Sequence, residues 1–457
     1  MVYKRMTMSE TNTPEDLPHP QMQQHVRRKA PPKSRIMMIS THGYVAANPP
    51  LGNPDTGGQV VYVLELSKKL AQLGYAVDIW TRRFEDQPEI EEVEEDVRIL
   101  RMPCGGSDFL PKEYLYKKLP EWGENALRFI NRENLTYDFI NSHYWDAGLA
   151  GSHLALKLQV PHIHTPHSVG IWKKEQMEKD SDLSPEKMDQ VYNFSRRIHH
   201  ENILYRECDL LIATSPIQVD VFLQKHHVNK DKLRMIPPGY DDNRFFPVSE
   251  ATRENIRQEF GYEGKVVASL GRLSHNKGFD LLIDAFAIAA EHAPEAHLRL
   301  AVGTETDSTT EDPILAELFK KVNEHGLQDR VTITGSIPDE EMPAYYQAAD
   351  VFCLPSRYEP FGMTAVEAMA CGTPSVITTR GGLYRTMVYG SDAIYADSLD
   401  KYDYGYSILK VLRYKPIRRA LSHHGAIKVR SRFTWTGIAQ QLISEVEQRG
   451  SSLLLEH

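Results

Sequence analysis

Arg35-Ile36-Met37-Met38-Ile39-Ser40 is an unbroken apolar run, followed by the loop Gly52-Asn53-Pro54-Asp55-Thr56-Gly57-Gly58-Gln59 and, further on, by a second apolar run, Ala76-Val77-Asp78-Ile79-Trp80. Between the loop and the second run, Val60, Val61, Leu64, Leu66, Leu70 and Leu73 recur at helical spacing until Gly74 ends them. Strand, helix and strand at this pace make a βαβ unit, and a βαβ unit implies a parallel sheet. Further buried strands are expected at 139–142, 162–164 and 210–214. The alternation breaks at Ile236-Pro237-Pro238-Gly239 and restarts at Lys265-Val266-Val267-Ala268-Ser269-Leu270-Gly271, with strands at 298–302, 331–334, 351–354 and 375–378. The fold class is therefore α/β: two Rossmann-like domains facing across a cleft, 35–240 and 262–433, with the boundary inside 237–264 and a disordered tail at 1–34.

The 457 residues suffice for such a pair of cores. A net charge of −9 argues against a general nucleic-acid partner, so an anionic ligand has to be met by local basic clusters. No apolar run approaches the roughly 18 residues of a membrane span, and residues 1–34 lack the apolar core of a secretory signal. Cys104, Cys208, Cys353 and Cys371 show no paired spacing, which points to a reduced, cytoplasmic setting; Cys353 and Cys371 read as packing residues. The closing Leu455-Glu456-His457 is left open between native sequence and a cloning scar.

The chemistry concentrates in Glu359-Pro360-Phe361-Gly362-Met363-Thr364-Ala365-Val366-Glu367. A helix starting at about Gly362 aims its free N–H groups and positive dipole end out of the turn, toward an anion. Glu359 stands just outside that end and Glu367 two turns in, so a diphosphate can lie at the helix end with a hydroxyl-gripping carboxylate on either side. Alone, such a pair often does no more than complement a dipole and meet solvent. Gly271-Arg272-Leu273-Ser274-His275-Asn276-Lys277-Gly278 adds Arg272 and Lys277 at a strand's carboxyl end, where ligands of such sheets bind. The spacing is neither G-x-x-x-x-G-K nor G-x-G-x-x-G, which argues against a P-loop and against NAD or FAD; no organic cofactor is called for.

Taken together, strand-G-R-L-x-x-x-K-G, the linker 236–241, the run 359–376 and Gly381-Gly382 resemble the retaining GT-B glycosyltransferases that include sucrose synthases and sucrose-phosphate synthases. The resemblance covers about 35–449 and implies a hexosyltransferase whose last helix, 434–449, crosses back onto the first domain. It implies that Arg272, Lys277, Glu359 and His167 are catalytic. The donor would be bound by Gly58, Arg272, Lys277, Glu359, the amides of Phe361, Gly362, Met363 and Thr364, and, at the ribose, Glu367. His162 and His164 read as structural, and His143 is open. Segments 105–113, 167–173 and 194–198 are similar to those by which sucrose-phosphate synthases hold fructose 6-phosphate. Gly57, Gln59, Tyr144 and Ser168 would then meet the sugar, and Lys112, Lys173, Arg196 and Arg197 the phosphate. Three basic segments converging on one crevice suit a phosphomonoester better than a neutral sugar.

Family members often continue the second glycine pair as G-G-P-A-E; here it runs Gly381-Gly382-Leu383-Tyr384-Arg385-Thr386. That change and the chain's shortness look closer to the branch that moves mannose from GDP-mannose to fructose 6-phosphate, with UDP-glucose or ADP-glucose as the alternative donor. The resemblance implies transfer to the 2-hydroxyl with retention by same-face attack, giving mannosylfructose 6-phosphate and GDP for a downstream sugar phosphatase. Asp180-Ser181-Asp182 spells a D-x-D metal motif but lies in a polar stretch, so no protein metal ligand is expected and Mg2+ would act on the phosphates. Two other classes stay open. A nucleotide-sugar epimerase would need no Lys112, Lys173 and Arg197 cluster, and a silent binding protein would have lost some of Arg272, Lys277, Glu359 or His167.

Overall fold

A computed structural model describes residues 34–50, 55–179, 183–303 and 312–453. The expected tail up to residue 33, the loop start 52–54, Asp180-Ser181-Asp182 and the last three residues lie outside them. The first unit carries β1 (Ser34–Ile39), β2 (Tyr75–Arg83), β3 (Ile90–Glu94), β4 (Val97–Pro103), β5 (Phe139–His143), β6 (His162–Thr165), β7 (Leu210–Ala213) and β8 (Leu233–Met235). They form one sheet in the order β3-β4-β2-β1-β5-β6-β7-β8, parallel except for β3 against β4. The second unit carries β9 (Lys265–Arg272), β10 (Ala296–Gly303), β11 (Val331–Thr334), β12 (Val351–Leu354), β13 (Ser375–Thr378) and β14 (Ile394–Ala396), all parallel, in the order β11-β10-β9-β12-β13-β14.

Both sheets follow from near-continuous apolar strands covered by helices on both faces. Ile36, Met37, Met38 and Ile39 are fully buried; the Gly58–Gln72 helix lays Val60, Val63, Leu64, Leu66 and Leu70 against Ile36 and Met38, while Met37 and Ile39 pack with Trp80 and Trp122 on the other face. Strand order reverses between β1 and β5 in the first sheet and between β9 and β12 in the second. Ligands of open α/β sheets bind at these switch points, outside the strands' carboxyl ends. Residues 40–43 and 143–146 leave the first switch point, Arg272 and Pro355 the second.

The chain passes between the units twice, at adjacent places. Tyr240 N–H donates to Phe433 O (2.8 Å), and Trp435 N–H donates to Tyr240 O (3.3 Å). Gly239 is required there, since a Cβ would lie 2.7 Å from the Trp435 ring. The Trp435–Leu453 helix then packs Trp435, Ile438, Ala439, Leu442 and Ile443 into the same core as Ile36, Tyr62 and Leu66.

Candidate active site

Gly362 sits at φ 118°, where a Cβ would come 2.6 Å from Leu354, so only glycine allows this turn. The Met363–Ala370 helix begins there, with its first N–H groups lacking intrahelical acceptors. Glu359 is nearly buried and accepts from Lys277 Nζ (2.8 Å) and Ser356 Oγ (3.2 Å). Arg272, at the end of β9, is exposed in the cleft. The glycine pair is strapped to the carboxylate turn: Glu359 N–H donates to Arg380 O, Gly382 N–H to Glu359 O and Leu383 N–H to Phe361 O. Glu367 lies deeper and accepts from Tyr346 OH at 2.8 Å; burial pushes its carboxyl up to about 7 despite that hydrogen bond.

The first domain faces this end closely. A Cβ on Gly57 would stand 3.4 Å from Arg272 Nε and one on Gly58 3.7 Å from Met363 Sδ, so the loop before the Gly58–Gln72 helix abuts the second domain. Ser168 Oγ meets Tyr358 OH at 3.2 Å, and Trp172 packs edge-on to the Tyr358 ring at 4.7 Å. Gln59 Nε2 donates to Ser40 Oγ and His143 O (3.2 and 3.3 Å). His167 follows β6 in the left-handed region (φ 58°), a costly conformation for a non-glycine residue that its surroundings impose. Gln218 Nε2 donates to the His167 carbonyl (3.1 Å), and the imidazole meets His143 across a 2.9 Å hydrogen bond. Burial, with His42 nearby, pushes His167 down to about 3, so it is a neutral hydrogen-bonding group at working pH. His143 is likewise held well below its ordinary value by burial, and His162 and His164 are buried around Ser142 Oγ.

The basic residues named from the sequence separate into three situations. Lys112 is ion-paired to Asp55 and lies 3.3 Å from Glu113. Arg197 is buried and spends its guanidinium on Glu201 (2.7 Å), Tyr144 OH (2.7 Å) and Ser168 O (2.7 Å). Arg196, one residue earlier on the same helix, points elsewhere: it is exposed and stands over the Tyr116 ring at 5.3 Å. Lys173 Nζ stands over the Tyr192 ring at 5.2 Å; burial, with Arg197, Lys112 and Arg272 outweighing the Glu113 carboxylate, pushes its ammonium down to about 7.

Two residues in this cleft went unnamed from the sequence. Asp146 is wholly buried and accepts from Thr41 Oγ1 (2.7 Å) and His42 Nδ1 (2.9 Å), and the His42 ring stands edge-on to Tyr144 at 4.8 Å. His42 leaves the carboxyl end of β1, the one signal that could have singled it out. No group of three or more His, Cys, Asp or Glu side chains among the described residues is placed to hold a metal ion, and no helix is long and apolar enough to cross a membrane.

Comparison with known proteins agrees with this geometry. The profile for glycosyl transferases group 1 matches residues 252–426, and that for Glycosyltransferase Family 4 matches 56–244. The chain is 58% identical over 422 residues to a mannosylfructose-phosphate synthase of Agrobacterium fabrum, covering 92% of this chain and 93% of the relative. It is 32% identical to a D-inositol 3-phosphate glycosyltransferase of Corynebacterium jeikeium, over 89% of this chain and 95% of that one. Among solved structures, a sucrose-phosphate synthase from Thermosynechococcus elongatus superposes with a TM-score of 0.80 at 29% identity, covering 92% of this chain and all of that one. Anabaena HepE in complex with UDP-glucose shares the fold at a TM-score of 0.68 and 20% identity, over 91% of this chain and all of that one. With the two facing sheets and their cleft, these similarities make the chain a GT-B enzyme that belongs to the family 4, group 1 glycosyltransferases.

Proposed function

We propose that the enzyme transfers a mannosyl group from GDP-mannose to the 2-hydroxyl of fructose 6-phosphate, with retention at the anomeric carbon. The observation that carries the acceptor is the cationic setting of Lys173: Arg197, Lys112 and Arg272 all bear on its ammonium, and the Glu113 carboxylate that opposes them is shared with Lys112. A phosphomonoester supplies the missing charge. The mannosyl donor rests on the name of the relative at 58% identity and on the altered loop after Gly382.

Arg272, Lys277 and the amide end of the Met363–Ala370 helix would take up the charge of the departing diphosphate, a preorganised electrostatic role. Glu359 would hold the donor sugar, oriented by the hydrogen bond it accepts from Lys277, and Glu367 the ribose. Neutral His167 would hydrogen-bond the transferred sugar. The acceptor hydroxyl's proton leaves on the departing phosphate, so no protein nucleophile is required. No organic cofactor enters, and Mg2+ would pair with phosphate oxygens. The product is a phosphomonoester, so a sugar phosphatase is the class of enzyme that would consume it.

GDP-mannose, UDP-glucose and ADP-glucose, each paired with fructose and with fructose 6-phosphate, test this directly. A disaccharide phosphate is expected from GDP-mannose with fructose 6-phosphate; nucleotide release without it in every pairing would sink the proposal. A preference for UDP-glucose would favour a sucrose-phosphate synthase activity instead, the activity of the structural relative at TM-score 0.80. Lys112→Ala with Lys173→Ala should raise the KM for fructose 6-phosphate at least tenfold, the order expected for losing charge-assisted bonds.

A further inference from the structure

The second glycine pair also touches the first domain, at one helix. The Pro216–Gln224 helix is capped by Ser215, whose side chain accepts from Gln218 N–H, and it presents three residues with different partners. Ser215 is wholly buried, and Gly382 lies on it so closely that a Cβ on Gly382 would stand 2.3 Å from Ser215 Cβ. One turn on, Gln218 is wholly buried; its Oε1 accepts from Thr214 N–H (2.8 Å) and its Nε2 donates to the His167 carbonyl (3.1 Å). Asp220 faces out of the first domain and is ion-paired across the cleft to Arg385, on the turn Leu383–Thr386 that follows the glycine pair. That turn is tied to Glu359 O and Phe361 O by the Gly382 and Leu383 amides.

A continuous set of contacts thus runs from the donor carboxylate turn through Gly382, Ser215 and Gln218 to the strained backbone of His167. Arg385 stands where the sequence departs from the glycine-pair pattern of similar enzymes, and the departure supplies the cation that Asp220 needs. We propose that Arg385 and Asp220 form a latch that presses Gly382 onto Ser215, so that arrival of the donor domain sets the position of His167. Both are positioning residues, and their part in turnover rests on the transferase reading above. Closing the cleft then also excludes water from the donor.

Asp220→Arg, Arg385→Asp and the double exchange test the latch in the full-length protein. Steady-state kinetics with GDP-mannose and fructose 6-phosphate are combined with hydrogen exchange over residues 165–170 and 216–224, with and without GDP. Both side chains are partly exposed, so the variants fold. Each single change should lower kcat about two- to fivefold, the scale of an exposed ion pair, with the KM for fructose 6-phosphate nearly unchanged. Each should also speed exchange over 165–170, and the double exchange should restore both readouts. Singles that match the parent in kcat and in exchange overturn the latch, and so does a double exchange no better than the singles. If the parent shows no transfer from any donor, the functional reading falls, and the exchange measurement alone decides the latch.

Discussion

Burial pushes Glu367 up and Lys173 down toward neutrality, and both shifts are readable in solution. Burial raises Glu367 to about 7, against Tyr346's hydrogen bond. The free-enzyme carboxyl is therefore largely protonated at pH 6 and ionised by pH 8.5. If it binds ribose hydroxyls as a carboxylate, donor affinity should rise through pH 7, and Glu367→Gln should be weaker but flat with pH. Titration calorimetry with the nucleotide between pH 6 and 8.5 checks this. The sign for stability is reversed. A carboxyl raised from 4.5 to about 7 costs the fold nothing below pH 4.5 and costs it fully above pH 7. Glu367→Gln should then melt higher than the parent at pH 8, with the difference vanishing toward pH 4.5. Lys173, lowered to about 7 by burial and neighbouring cations, is largely neutral at pH 8. A phosphate beside it restores the charge, so fructose 6-phosphate should bind at pH 8 with uptake of up to about one proton, seen by calorimetry in buffers of different ionisation heat. Binding without proton uptake would place the phosphate elsewhere.

The Met363–Ala370 helix acts as a unit through its first turn, and Gly362 fixes where that turn points. Gly362→Ala would force a Cβ into Leu354 at a positive φ. The expected result is a loss of donor affinity of at least tenfold with a fall in melting temperature, checked by calorimetry and thermal unfolding. Elements such as this one were legible in the sequence because glycine, proline and an apolar run bracket them. Strands 331–334 and 351–354 end at Gly335 and Pro355. β3 did not announce itself, since Ile90-Glu91-Glu92-Val93-Glu94 is an edge strand whose consecutive acids Glu91 and Glu92 break the apolar alternation. β8 and β14, three residues each, are too short for a periodicity. In the cleft, a strand end followed by charged residues signalled Arg272 and Lys277. No spacing could signal Asp146, whose partners Thr41 and His42 lie more than a hundred residues earlier. Helical spacing does carry the parting of Arg196 and Arg197, because adjacent residues on a helix diverge by about 100°.

At the scale of the whole molecule, the two domains share more than a cleft, because the last helix belongs to the core of the first. Trp435→Ala should cost about 3–5 kcal/mol, as expected for emptying a buried tryptophan site, with the loss felt in the first domain's unfolding. Ending the chain at Phe433 should expose that apolar face and yield a dye-binding, inactive protein. The same helix sets a schedule for biosynthesis. The first sheet leaves the ribosome complete at Met235, yet the segment that covers Tyr62, Val63 and Leu66 is made roughly 200 residues later. At ordinary elongation rates that is a wait of roughly 10–40 s with an open apolar flank. During it the nascent chain is a natural client for a hydrophobic-surface chaperone, and the first domain becomes finished only when the Trp435–Leu453 helix has emerged.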